Sequence, residues 1–495
     1  MPNIIQCIMR VIRPFAVIAI IGIPIEPVQA GLDYPDPAIH TAEGMQIFMP
    51  LVLHYSTTSV PGAVTYYISP SGSDQNHGTS EYAPWASFER AWQDLYPGDT
   101  LILLDGVYYQ SISPHIRSGE TGKPITIRAK NDGNAIIDGQ NDRIPVEIQR
   151  RDFYIIEGIV ARNSNYHVFW IKDADHNILR RVSGYNANTD ANAHVFTIVG
   201  AENNLVEDCI ASGSGRKMIL IFMANNNTIR RCYTDWRQWD GREWGSCWPW
   251  GEGLEIYGGS YNTIENSIAY GNVPRAGISL MAQNPQVASG NNILGSMAIL
   301  SGMQDINSIM EWADSRPQPS DYTCVQDFEN WPSLRAGFRM GDNGEMRDNL
   351  FQDIFAWGNA GLGLTYHQAG DILPTSNNRV NRATIITSGL DNKVQFGGIN
   401  TDAIQSELTD RFDAVENSQI ENIFINYNSD GTRNMTSMTG EGARLTHRYI
   451  DGTLTTQSLW PWPMEDRIQA ELGISVTDMM TNLIFGTNNL AEIYD

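Results

Sequence analysis

Two short patterns of apolar and polar residues return along the chain. The first is an asparagine followed by aliphatic or β-branched positions, and its copies start at Asn177, Asn204, Asn227, Asn262 and Asn292. The second contains Ala-Gly followed by mostly apolar residues, and its copies occupy 275–280, 335–340 and 359–364. A period in the twenties, with asparagine and β-branched residues at fixed places, predicts a solenoid of short parallel strands.

Alignment on the asparagine positions predicts two interior columns of apolar side chains. One column holds Leu179, Val206, Ile229, Ile264 and Leu294, and the other holds Ile171, Ile198, Ile221 and Ile256. Side chains alternate along a strand, so the residues between these positions face outward. Stacked asparagines can also bond to one another along the ladder. We therefore expect an all-β chain built from stacked coils.

The ends of the chain break this pattern. Residues 1–30 are typical of a secretory signal peptide, with two arginines, an apolar run and a small-residue cleavage site. Residues 31–63 are predicted to be a proline-rich linker, 64–440 the solenoid and 441–495 a C-terminal cap with a short helix. Helical spacing over 84–95 predicts a helix that covers the first coil. The protein is then expected to be secreted or held at the cell surface.

Charge and cysteine content narrow the partners. The 495-residue chain has a formal net charge of −23, which repels nucleic acid and anionic lipid. No later segment predicts membrane insertion, and we expect a monomer.

Cys209 and Cys232 occupy equivalent steps of neighbouring coils, where two small buried side chains are expected. Cys247 and Cys324 lie in separate insertions, and either a disulfide or two free thiols fits the sequence.

The segment that leads into the coils resembles that of a known superfamily. The relevant residues are Tyr66-Tyr67-Ile68-Ser69-Pro70, Pro84-Trp85, Pro97-Gly98-Asp99-Thr100, Gly122-Lys123-Pro124-Ile125-Thr126-Ile127-Arg128-Ala129 and Ile137-Asp138-Gly139. Together with the coils, over about 65–430, they resemble the right-handed parallel β-helix, pectate-lyase-like proteins. The resemblance implies a right-handed solenoid and a carbohydrate-active protein. One such fold carries several chemistries, so the residues must indicate which one applies.

Outward positions of the predicted coils contain the candidate catalytic groups. His194, Lys217 and Glu252 each lie four residues before the second interior column, and Glu255 lies one residue before it. Arg339 lies at the matching step of the Ala-Gly pattern, between Ser279 and Gly363.

A lyase needs a base and a cation that holds the developing enediolate. Lys217, His194, Tyr257 and Arg339 are candidates for these roles. Glu252 and Glu255 are candidate ligands of Ca²⁺, which prefers oxygen donors. If the substrate is neutral, they are instead candidates for a hydrolytic carboxylate pair.

An insertion rich in tryptophan is the predicted sugar-binding wall. Flat aromatic faces offer apolar surface for stacking, and the neighbouring polar side chains can bond hydroxyl groups or carboxylates. The alternative is a loop that packs on itself. The predicted substrate-binding residues are Trp236, Trp239, Trp244, Trp248, Trp250, Tyr257, Arg275, Trp312 and His367.

Three functions remain open from the sequence. The first is a secreted polysaccharide lyase that acts by β-elimination on glycans containing uronic acid. The second is a non-catalytic, adhesin-type surface β-helix that binds glycans or a partner protein, and the third is a glycoside hydrolase that acts on a neutral glycan. The partner expected first is a polysaccharide.

Overall fold

A computed structural model describes residues 62–485, except residues 190, 237–250, 272–275, 284, 303–335, 342–343, 360–362, 367–374, 387–393, 397–418, 428–433 and 438–442. The predicted signal peptide and almost all of the linker lie outside these residues and stay predictions.

The described chain is mostly short strands, with three helices. The helices are α1 Phe88–Asp94, α2 Glu465–Leu472 and α3 Val476–Phe485. The strands, in chain order, are β1 Thr65–Ile68, β2 Thr100–Leu103, β3 Gly106–Tyr108, β4 Ile125–Ala129, β5 Ala135–Asp138, β6 Val146–Gln149, β7 Tyr154–Glu157, β8 Val160–Arg162, β9 Phe169–Lys172, β10 Ile178–Arg180, β11 Ser183–Tyr185, β12 His194–Val199, β13 Leu205–Glu207, β14 Ile210–Ser212, β15 Lys217–Phe222, β16 Thr228–Arg230, β17 Tyr233–Asp235, β18 Glu252–Tyr257, β19 Gly259–Ser260, β20 Thr263–Glu265, β21 Ile268–Tyr270, β22 Ile278–Met281, β23 Val287–Ser289, β24 Asn292–Leu294, β25 Met297–Ile299, β26 Phe338–Met340, β27 Glu345–Arg347, β28 Leu350–Trp357, β29 Leu364–Tyr366, β30 Thr375–Ser376, β31 Arg379–Ile386, β32 Val394–Phe396, β33 Gln419–Tyr427, β34 Asn434–Ser437, β35 His447–Ile450 and β36 Thr453–Ser458.

Successive coils pair strand by strand, which makes the chain a parallel β-helix. One nine-stranded sheet has the order β32-β29-β26-β22-β18-β15-β12-β9-β6, so it takes one strand from each coil in sequence order. A second, larger sheet joins other strands of the same coils in parallel, for example β10 to β13 and β13 to β16, and it also contains β34, which pairs antiparallel with β33. The predicted all-β, stacked-coil architecture is therefore confirmed.

The interior columns follow the predicted register with one correction. Ile171, Ile198, Ile221 and Ile256 lie side by side in the nine-stranded sheet. The other column continues from Ile264 to Ile293 rather than to Leu294. Leu294 pairs with Glu265 instead, and its side chain faces outward. The sequence alignment placed the last member of this column one residue too late, because two asparagines are adjacent at this corner.

A buried asparagine ladder joins the coils. It consists of Asn177, Asn204, Asn227, Asn262, Asn291, Asn349 and Asn378, each at most 2% exposed. Asn177 Oδ1 accepts the backbone N–H of Tyr154, and each later Oδ1 accepts that of the ladder asparagine before it; for example, Asn204 N donates to Asn227 Oδ1 at 3.0 Å. The Asn227 Nδ2 donates in turn to the carbonyl oxygens of Ala201 and Asn225. The ladder thus satisfies backbone groups that the corner leaves without strand partners. Asn291, rather than the predicted Asn292, is its fifth member.

The N-terminal helix is shorter than predicted. It covers Phe88–Asp94 within the predicted range 84–95, and the Ser87 hydroxyl caps it by accepting the Arg90 N–H. Phe88, Ala91 and Trp92 are buried in the same core cluster as the coils.

The C-terminal segment lies along the flank of the coils. Residues of α2 and α3, together with Leu445, Leu459 and Trp460 on either side of the β35–β36 hairpin, form a second core with outward side chains of the solenoid such as Ile210, Ile268 and Phe355. Arg467 donates to the carbonyl oxygen of Ile159, while the backbone N–H of Ala443 donates to Thr384 Oγ1. A segment that touches such distant coils runs beside the stack. The predicted C-terminal cap therefore lies along the side of the coils. There it covers outward apolar side chains that would otherwise face water.

Charged side chains alternate in one outward column beneath this cover. Arg180 contacts Glu207 at 2.6 Å, Glu207 contacts Arg230 at 3.0 Å, and Arg230 contacts Glu265 at 3.3 Å. Burial raises the pKa of Glu207, but Arg230, Arg180 and Arg231 together outweigh it and bring the pKa below its usual value. Burial dominates at Glu265 and raises its pKa. Alternation lets each buried charge meet opposite charges in the coils above and below.

Substitution of Asn227 by alanine should destabilise the fold by at least about 3 kcal/mol, since several buried groups each lose a partner worth about 1–3 kcal/mol. Denaturant unfolding followed by circular dichroism measures the effect. The matched control is Asn131→Ala at an exposed corner, where a change within about 0.5 kcal/mol is expected. Equal effects of the two substitutions would refute the structural importance of the ladder.

Candidate functional site

The outward face of the nine-stranded sheet brings the predicted catalytic residues into register. His194, Lys217 and Glu252 are neighbours on β12, β15 and β18. A second outward column runs through Thr197, Leu220, Glu255, Ser279 and Arg339. The prediction that Glu255 and Arg339 share a column, separated by Ser279, is confirmed.

The column continues at Thr365, not at the predicted Gly363. Phe338 pairs with Leu364 and Arg339 with Thr365, which puts Gly363 opposite Gly337. The third Ala-Gly copy was therefore aligned two residues too early. The sequence holds glycine at both 361 and 363, and only the second continues the column. That second glycine was the signal that could have revealed Thr365.

A local bend explains why residues three apart on one strand both face outward. On β12, Val195 and Phe196 are consecutive and both belong to the interior core. Two successive inward side chains require a bend in the strand, which breaks the alternation of period two. The flanking residues His194 and Thr197 then project on the outer side. Glu252 and Glu255 flank the equivalent bend on β18.

Lys217 lies between two carboxylates. Its Nζ is 3.6 Å from Glu252 Oε2 and makes a closer ion pair with Glu255 Oε2. Both glutamates are 0% exposed and Lys217 is 5% exposed. Ser279 Oγ donates to Glu255 Oε1 at 3.4 Å, and the Lys217 ammonium lies 5.2 Å from the centre of the Tyr257 ring. Two nearby carboxylates favour the charged form of the lysine, so Lys217 is better suited to hold an anion than to accept a proton.

Two stacked histidines lie beside this cluster. The rings of His167 and His194 are 5.1 Å apart, and His167 Nδ1 accepts the backbone N–H of His194 at 3.0 Å. Burial lowers the pKa of His167 to about 3 and lowers that of His194 well below its usual value. His194 Nδ1 has no hydrogen-bond partner among the described residues. At neutral pH, His194 is therefore a neutral imidazole, and its Nδ1 is buried.

The predicted binding residues are only partly within the described chain. Tyr257 is half-buried on the candidate face, and its hydroxyl donates to Gln283 Oε1 at 2.6 Å. Trp236 is 1% exposed and belongs to the main core, so its ring faces are covered rather than presented to a sugar. The other predicted binding residues lie outside the described chain and stay predictions: Trp239, Trp244, Trp248, Trp250, Arg275, Trp312 and His367. Cys247 and Cys324 also lie outside it, whereas Cys209 and Cys232 are buried free thiols.

The carboxylate pair, as arranged, does not fit a calcium ion. Calcium needs six to eight oxygen ligands, and here an ammonium group sits within ion-pair distance of both Glu252 and Glu255. In the described part of the chain, no group of three or more His, Cys, Asp or Glu side chains converges. No step of the chemistry considered below passes through a metal.

Comparison with known proteins agrees with the architecture. Residues 66–215 match a family model described as "Pel9A-like, right handed beta helix region". His194 lies within the match, while Lys217, Glu252, Glu255 and Arg339 follow it. The geometry of those four residues therefore rests on the structure of this chain alone.

Curated relatives and solved structures are similar over parts of the chain. Lacto-N-biosidase of Bifidobacterium longum subsp. longum is 38% identical over 85 residues, 16% of this chain and 5% of the relative. Pectate lyase L of Dickeya chrysanthemi is 24% identical over 256 residues, 48% of this chain and 56% of the relative. Both matches span less than two thirds of the relative. The crystal structure of pectate lyase Pel9A superposes with a TM-score of 0.39 and 19% identity, over 73% of this chain and 74% of that chain.

Within the described residues, every helix is too short or too polar to cross a bilayer.

The buried histidine pair should make stability depend on pH. His167 has a folded pKa of about 3, and the unfolded chain should titrate near 6.5, so the unfolded state binds more protons between these values. Stability should fall on acidification, by about 2 kcal/mol for this residue between pH 7.5 and 5.0. His167→Asn should reduce the loss by that amount, as measured by urea unfolding at both pH values. His115→Asn, at an exposed position, is the control. It should leave the dependence of the unfolding free energy on pH as it is in the wild type. A slope unaltered by His167→Asn would contradict the prediction.

Proposed function

We propose that this protein is a secreted or cell-surface polysaccharide lyase. It cleaves glycans that contain uronic acid, and the reaction takes place on the outward face around Lys217. The observation that carries the proposal is the placement of a buried lysine and a neutral histidine on adjacent strands, with Arg339 in the next outward column of the same face of a Pel9A-like β-helix. The pectate lyase relative supports the same class of reaction.

β-Elimination assigns a distinct role to each group. Lys217 and Arg339 neutralise the uronate carboxylate and so stabilise the enediolate that forms when the adjacent carbon loses its proton. The imidazole of His194 accepts that proton through its unpartnered Nδ1. The bond between the next carbon and the glycosidic oxygen then breaks, and the leaving oxygen takes a proton from water.

The two glutamates position the lysine in this mechanism. Glu252 and Glu255 hold the Lys217 ammonium charged and in place, and Ser279 supports Glu255. The low pKa of His194 does not exclude it as the base, because a nearby anionic substrate favours the charged imidazolium. The resting enzyme therefore keeps a neutral base, and substrate binding raises its basicity.

One observation favours hydrolysis as a second candidate. Glu252 and Glu255 contact the same ammonium, so their nearest oxygens are close together. Such proximity resembles the separation of about 5–5.5 Å in retaining glycosidases more than the roughly 6.5–9.5 Å of inverting ones. In this alternative one glutamate is the nucleophile, the other is the acid, and the substrate is neutral.

Assays of cleavage test the proposal directly. The purified protein is incubated with polygalacturonate, alginate, glycosaminoglycans and ulvan, and with neutral glycans, while ultraviolet absorbance and reducing ends are followed. We expect unsaturated products from a uronic-acid glycan. Reducing ends without absorbance would favour the hydrolase, and binding without cleavage of any glycan would favour a non-catalytic surface protein.

Two variants separate the mechanisms. His194→Gln should lower kcat at least about 100-fold if His194 is the base, while exposed His115→Gln should leave kcat unchanged. Glu252→Gln should reduce lyase turnover less than His194→Gln does. The reverse order would reject the assigned roles and support a carboxylate mechanism. Thermal unfolding of each variant shows that the fold is intact.

A further inference from the structure

A half-buried strip crosses the candidate face next to the catalytic columns. It runs through Lys172, Val199, Phe222 and Tyr257, which are direct neighbours on β9, β12, β15 and β18. All four side chains are partly exposed, whereas the adjacent catalytic columns are buried. Neighbouring strands are about 4.8 Å apart, so the strip is about 14 Å long. It is a surface of oligosaccharide size that a ligand can reach.

The strip begins with an aromatic ring and a cation on one strand. The Lys172 ammonium lies 5.1 Å from the centre of the Trp170 ring. Trp170 is half-buried, and its Nε1–H has no acceptor among the described residues. Lys172 forms no ion pair within the described part of the chain, unlike Lys217. The pair therefore combines apolar ring surface with a positive charge, which attracts the Glu147 carboxylate without a direct ion pair among the described residues.

The strip ends at the reactive cluster. Phe222 and Tyr257 pack against each other in a tilted arrangement with their ring centres 5.5 Å apart, and Lys217 lies over the Tyr257 ring. Two ammonium groups thus flank a central apolar section. A glycan of uronic acids has the same alternation, because its sugar rings have apolar faces and its carboxylates recur along the chain.

Because the protein has a large negative net charge, the position of Lys172 indicates where an acidic glycan can bind. A protein with a net charge of −23 repels a polyanion, so an acidic glycan binds only where cations are concentrated locally. Glu147, next to Trp170 in register, is the neighbouring acidic side chain on this face. Burial raises the pKa of Glu147, although Lys172 acts in the opposite direction.

We propose that Trp170 and Lys172 form a subsite for a uronate residue of the glycan, which then crosses the strip toward Lys217. Trp170 stacks on the sugar ring and Lys172 pairs with its carboxylate. This inference rests on the proposed function, which makes Lys217 the point toward which the glycan runs. It adds the requirement that an acidic sugar binds two strands before β15. The subsite binds substrate and takes no part in bond cleavage.

Binding measurements with defined oligomers test the subsite. Isothermal titration uses oligogalacturonate and oligomannuronate, with a neutral cello-oligosaccharide of the same length for comparison. For the acidic oligomer that the wild type prefers, Lys172→Met should weaken binding about fivefold. The same substitution should reduce the dependence of affinity on salt. Lys172→Arg should restore most of the affinity. Trp170→Ala should weaken binding further, and the exposed Lys123→Met is the matched control with unchanged affinity.

Kinetics distinguish this subsite from the active site. If the wild type cleaves the oligomer, Lys172→Met should raise KM and leave kcat within about twofold. Cleavage by the wild type with KM unaltered by Lys172→Met would overturn the subsite and leave the proposed function intact. Weaker binding by both variants without cleavage by the wild type would overturn the lyase and retain the subsite. Equal loss of affinity for acidic and neutral oligomers in Lys172→Met would also reject the uronate assignment.

Discussion

The structure depends on the in-register pairing of each coil with the next. Backbone hydrogen bonds between parallel strands fix the step between coils, and the buried asparagine ladder completes the pairing at the corner where the strand pattern stops. Each ladder amide satisfies backbone groups in its own and neighbouring coils. Since the register cannot slip by one residue without moving every side chain to the other face, these contacts also determine which residues face inward and outward.

That register is what assembles a site from distant parts of the chain. His194, Lys217 and Glu252 are far apart in sequence, yet they are consecutive rungs of one column. Buried charges in such a column must satisfy one another, because burial removes their water. The structure meets this requirement twice, with a lysine between two glutamates on one face and with alternating arginine and glutamate beneath the C-terminal cover. The lysine between two glutamates lies next to a neutral histidine and an accessible aromatic strip. This arrangement makes it the set suited to binding and cleaving a substrate.

Much of the fold could be predicted from residue patterns, and the failures have identifiable causes. The interior isoleucine column and the shared column of Glu255 and Arg339 were predicted because every coil repeats the same spacing. The errors at Leu294 and Gly363 arose where adjacent asparagines or paired glycines allowed two alignments. The lateral position of the C-terminal segment had no signal in its own sequence, since the outward apolar residues that it covers belong to coils far away.

The sequence by itself determined the repeat, the inward columns and the strand on which each candidate residue lies, because these follow from local periodicity. Only the tertiary structure decided how the candidates interact. It paired Lys217 with both glutamates, stacked His194 on His167, buried Trp236 and left Lys172 beside Trp170 without an ion pair among the described residues. These outcomes depend on distances and burial between different coils, and a linear pattern contains neither quantity.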